Sequence, residues 1–147
     1  MNYQNWENNM NKKKLKLKDH GISKSRYMEL RGFCGQYPEW KQEIGNHAYI
    51  SSVTYKTTPG NPNKGTTDMT GNTAIKLERF QRNIDLIETI AKRVDDVYWK
   101  AIIDMVCYDM SPAYCIAINE LPLSQSVLYE RRRYFFYLLD IEKCKIP

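Results

Sequence analysis

The sequence predicts a mostly all-α chain: a small helical N-terminal region, a long linker, a helical hairpin and a C-terminal helix-turn-helix. Three observations predict it. Leu77, Phe80, Ile84, Ile87, Ala91 and Val94 recur at three- and four-residue spacing, which lays apolar side chains on one stripe of a helix. Ser23, the pair Ser111–Pro112 and Ser124 stand where helices should begin, since serine caps free N–H groups and proline suits the first helical position. Between the helical patterns lies VTYKTTPGNPNKGTTDMTGN, rich in Gly, Pro, Thr and Asn and without periodicity, as a linker would be.

Taken in order, residues 1–22 form a loose basic arm with Lys12, Lys13, Lys14, Lys16 and Lys18. Ser23 caps a helix through about Gln36, whose apolar stripe is Tyr27, Leu30, Phe33 and Cys34. Pro38 opens a second short helix carrying Trp40 and Ile44, which completes a small helical region, 23–48. The linker then occupies 49–71. Within it residues 49–55 could form a short strand, because Ile50, Val53 and Tyr55 favour extended backbone. Residues 72–147 hold the hairpin and the helix-turn-helix.

The long helix runs from about 72 to 93. Its seam serves either a hairpin with the next helix, favoured at this length, or a homodimer through 72–94. Asp95 and Asp96 make the turn. Trp99, Ile102, Ile103 and Val106 give the following helix, about 97–108, its inner face. Trp40, Trp99 and Phe135 are expected in the core, and Trp6 in solvent.

Ser111 and Pro112 start a short helix with Tyr114, Cys115, Ile116 and Ile118, which Asn119, Glu120 and Pro122 end. Ser124 then caps a helix over about 124–139. At 3.6 residues per turn, Leu128, Arg131, Phe135 and Leu139 line its packing face, beside Val127, Tyr134 and Leu138. Ser126, Tyr129, Arg133 and Tyr137 lie opposite, flanked by Gln125 and Arg132. A short helix, a turn and a second helix with polar opening residues is the layout of a helix-turn-helix. There the second helix enters the major groove and its first residues meet base edges. That assigns Gln125, Ser126 and Tyr129 to bases, with Tyr114 and Ser124 alongside, and Arg131, Arg132 and Arg133 to phosphates. The turn lacks the glycine often found in such motifs.

From Tyr98 onward the chain resembles the sigma-factor region-four type of helix-turn-helix. The whole chain resembles small regulators coded by phages and prophages of Gram-positive bacteria, of the late-gene activator kind (RinA-like or ArpU-like). SKSRYMELRGFCGQYPEW, TGNTAIKLERFQRNIDLIE and YERRRYFFYLLD carry that resemblance. It implies DNA binding through the last helix pair and contact with the transcription machinery. None of these stretches is a catalytic signature.

Charge agrees with a polyanionic partner. The 147 residues carry a net charge of +5; the pI is about 9.0 and mean hydropathy −0.63. The cations concentrate in the N-terminal arm and at Arg131, Arg132 and Arg133, around a balanced middle, as in nucleic-acid binders with an arm. A lysine-rich terminus is also a common solubilising feature, so the arm is auxiliary. No apolar run approaches the roughly 20 residues of a membrane span, and no secretory signal is evident, so a cytoplasmic location in a bacterial host is expected. Cys34, Cys107, Cys115 and Cys144 form no close pairs and His20 and His47 stand apart, which predicts no metal site.

No phosphate loop, dinucleotide turn, zinc-protease pair or nucleophile elbow occurs, and GNPNKGTT lacks the spacing of a phosphate loop. Asp95 with Asp96, and Glu78 with Arg82, are accounted for by helix ends and surface pairs. No enzyme, catalytic residue or cofactor is therefore expected. Two functions remain. One is a sequence-specific regulator of phage or mobile-element genes that binds double-stranded DNA. The other is a phage-encoded interaction protein directed at a host RNA polymerase subunit or nuclease, with Phe136 and Tyr137 as exposed aromatic anchors.

Overall fold

Serine hydroxyls begin the helices as their positions predict. Ser23 Oγ accepts from the Arg26 N–H at 3.1 Å, Ser111 Oγ from the Tyr114 N–H at 3.2 Å, and Ser124 Oγ from the Val127 N–H at 3.3 Å. Each such cap contributes about 1 kcal/mol. The computed structural model describes residues 17–54 and 71–145. Among them every regular element is helical: a 3-10 turn Leu17–His20, then α1 (Lys24–Gly35), α2 (Tyr37–Thr54), α3 (Gly71–Val94), α4 (Trp99–Cys107), α5 (Pro112–Asn119) and α6 (Gln125–Lys145).

The second helix departs from expectation. α2 runs for 18 residues, through the stretch 49–54 where the sequence suggested linker or strand. Pro38 sits in its first turn, where a missing N–H costs nothing. The β-branched residues beyond it lower helix propensity by only about 0.7 kcal/mol each, and no Gly or Pro intervenes between Gly45 and Pro59. The remaining linker residues, 55–70, lie outside the described residues, as does the arm up to Lys16 with Lys12, Lys13, Lys14 and Trp6. Lys18 falls in the 3-10 turn.

α3 is the 24-residue spine. Ile84, Ile87, Ile90, Ala91 and Val94 are buried along it, against α2, α4 and α6. The seam is thus used within one chain, as a hairpin. Asp95 shapes the turn that follows. Its Oδ1 accepts from the Val97 and Tyr98 N–H groups at 3.0 and 2.8 Å, and so closes the turn that leads into α4.

The core joins Leu30 and Trp40 of the first two helices to Ile87, Ile102, Met105, Leu128, Phe135 and Leu139. Trp99, expected inside, is only half-buried. Lysine ammoniums lie over its ring instead, Lys92 at 4.5 Å and Lys100 at 5.8 Å from the centroid.

Much of the second half of α6 is covered by the N-terminal elements. Tyr27 of α1 meets Phe136 edge-on at 5.0 Å, and His20 of the 3-10 turn lies 4.9 Å from Tyr137. Arg26 Nε donates to Asp140 Oδ1 at 2.7 Å. Phe136, expected as an exposed anchor, is 1% exposed. Tyr137 is half-buried beside Tyr134. The reason is that α1 and the 3-10 turn lie across what would otherwise be the outer face.

Candidate nucleic-acid interface

The α5–α6 corner turns without glycine. Glu120 takes the left-handed conformation, φ 48 and ψ 47, and its N–H bonds back to Ile116 O. For a residue with a Cβ that conformation costs roughly 1–2 kcal/mol. The Leu121 N–H also reaches Ile116 O, at 3.2 Å, and Asn119 Nδ2 donates to Cys115 O at 3.1 Å. Leu121 and Leu123 pack against the core on either side of Pro122. Short-range bonds and two apolar pegs therefore hold the corner.

Beyond it, the opening of α6 is the open part of that helix. Gln125 and Ser126 are exposed; Tyr129 is 43% exposed and Tyr114, on the preceding helix, 53%. Ser124 Oγ is engaged as the cap. Polar, open side chains stand on the first two turns, where a recognition helix meets base edges.

The arginine triplet divides. Arg131 is 14% exposed at its side chain and faces Asp95 Oδ2 from 3.7 Å. Its Nε and Nη1 are buried without a hydrogen-bond partner. It ties α6 to the α3–α4 turn, so the phosphate role expected for it is corrected. The helical period had placed Arg131 on the packing face, and packing decides. Arg132 Nη2 donates to the Tyr27 hydroxyl at 3.1 Å. Arg133 Nη1 donates to Oε1 of the half-buried Glu130 at 2.7 Å and is itself 39% exposed. Each guanidinium has five N–H donors, so each keeps others for an incoming phosphate.

These arginines line a notch of about 180 Å³ with Leu17, Tyr27, Tyr129 and Phe136. Spacing around α6 gave no sign of Leu17 or Tyr27, which arrive from the far N-terminal side.

Among the described residues no group of three or more His, Cys, Asp or Glu side chains could hold a metal ion, and no helix is long and apolar enough to cross a membrane. Cys34, Cys107, Cys115 and Cys144 are free thiols, the first three buried. Contact with the Cys107 thiol, and then burial, push the Cys34 thiol up, which makes it a poor nucleophile. No family model, no curated protein and no solved structure matches the chain.

Proposed function

We propose that this chain is a sequence-specific DNA-binding protein that regulates transcription of phage or mobile-element genes, with residues 124–139 as its recognition helix. One observation carries the reading: the opening of α6 is polar and open, with Gln125, Ser126 and Tyr129 outward and Arg132 and Arg133 at the edge of a small notch. Bases are read by such side chains and phosphates by such cations. The resemblance to phage regulators supplies the genetic setting.

The test is an electrophoretic shift series on duplexes from the gene's own upstream region, with random competitor DNA, at two salt concentrations. A shifted band that survives competitor and weakens as salt rises is the expected result. No shift at low salt would remove the reading.

A further inference from the structure

A larger concavity, about 480 Å³, runs along α4 and includes none of the residues assigned to DNA. Tyr98, Ala101, Asp104 and Tyr108 form one wall, and Tyr37 of α2 and Glu88 of α3 stand across from them. Val97 before α4 and Tyr108 after it are 68% and 46% exposed. Large side chains left in water at both ends of a cleft are what a partner's apolar residues would cover.

Its charges are unequal in state. Glu88 is satisfied: the Tyr37 hydroxyl donates to its Oε1 at 2.7 Å and Lys41 Nζ lies at 3.2 Å. Lys100, with Lys92, lies over the Trp99 ring. Asp104 is different. Its half-buried carboxylate has neither an ion pair nor a side-chain hydrogen bond among the described residues. Burial alone pushes its pKa up. A carboxyl whose folded pKa is raised favours the fold only below its unfolded pKa, and that contribution is lost as pH rises through the folded value. At neutral pH Asp104 therefore weakens the free chain.

We propose that this groove docks a segment of a partner polypeptide carrying an arginine or lysine among apolar residues, with the cation against Asp104 and the apolar side chains against Val97, Trp99 and Tyr108. A phosphate backbone is disfavoured, because it would bring negative charge to an unpaired carboxylate. A small amine would fill too little of the cleft: the nine residues of α4, at about 1.5 Å each, span roughly 14 Å between the exposed ends. An arriving guanidinium converts a destabilising charge into a charge-assisted hydrogen bond. The groove also borders Asn119 and Leu121 of the α5–α6 corner but includes none of the residues assigned to DNA, so the inference stands apart from DNA binding.

The experiment uses the full chain, labelled with nitrogen-15, and two amidated pentapeptides. Both are leucine-flanked, one with central arginine and the other with central citrulline, its neutral near-isostere. The arginine peptide should move the Trp99 indole and the Ala101 and Tyr108 amide signals saturably, about tenfold more tightly than the citrulline peptide. Asp104→Asn should erase that preference while raising the melting temperature and leaving DNA shifts unchanged. Val97→Ser, at an exposed position, should weaken both peptides alike. Absence of saturable shifts around Trp99, or an arginine preference that survives Asp104→Asn, overturns the proposal, as does tighter binding of a glutamate-centred peptide.

Discussion

Arg131, Arg132 and Arg133 are consecutive, yet each meets a different partner: a buried carboxylate, a tyrosine hydroxyl and a half-buried glutamate. One residue of a helix turns through about 100°, so neighbours in sequence point into different surroundings. Two opposite predictions follow from that division. Arg131→Ala leaves the buried Asp95 with its backbone bonds but without a counter-charge, and should cost about 3 kcal/mol in urea unfolding. Arg133→Ala should change stability by no more than about 0.5 kcal/mol, yet lower the salt slope of DNA binding by about one unit. Unfolding midpoints and shift titrations on both variants check the pair. Equal effects of the two on stability, or an unchanged salt slope for Arg133→Ala, would mean that the triplet has been divided wrongly.

Among the elements, what is local was legible and what is long-range was not. Ser23, Ser111 with Pro112, and Ser124 announced helix starts because a cap bonds only three residues ahead. The stripe of α3 was legible because one face of its second half, Ile84 to Val94, meets the core at every three or four residues. The extension of α2 was not, since Ile50 and Val53 favour strands in isolation while helical continuity is cooperative. Nor could any periodicity show that Tyr27 would cover Phe136, so the face that seemed open to a partner is closed by the chain itself. Half of the candidate site, Gln125, Ser126 and Tyr129, came from spacing; the other half, Tyr27 and Leu17, came only from tertiary packing. Two substitutions probe these elements. Phe136→Ala should cost about 3–5 kcal/mol, as for a core aromatic, and a cost well below 1 kcal/mol would place it on the surface. Glu120→Gly should relieve left-handed strain and stabilise the chain by up to about 1 kcal/mol. A loss of stability there would argue against the left-handed corner.

At the scale of the whole molecule, the mix of charge and apolar surface on α6 has a single explanation. Its polar opening faces outward, while its apolar remainder is enclosed by α1, α3, α4 and the 3-10 turn. The N-terminal helices are therefore part of the same core as the helix-turn-helix. Leu30 and Cys34 of α1 share one buried cluster with Phe135 and Leu139, and Arg26 pairs with Asp140. A first region that folded apart from the rest would open on its own; an enclosing one cannot, because its departure exposes Phe136. Native-state hydrogen exchange distinguishes the two, since amides protected by one cooperative unit exchange with one opening free energy. The amides of Leu30 and Cys34 should exchange with the same free energy as those of Phe135 and Leu139, and Tyr27→Ala should lower all four together. If the α1 amides open at a distinctly lower free energy, α1 is an attached piece, and the Tyr27–Arg132 notch is assembled only part of the time.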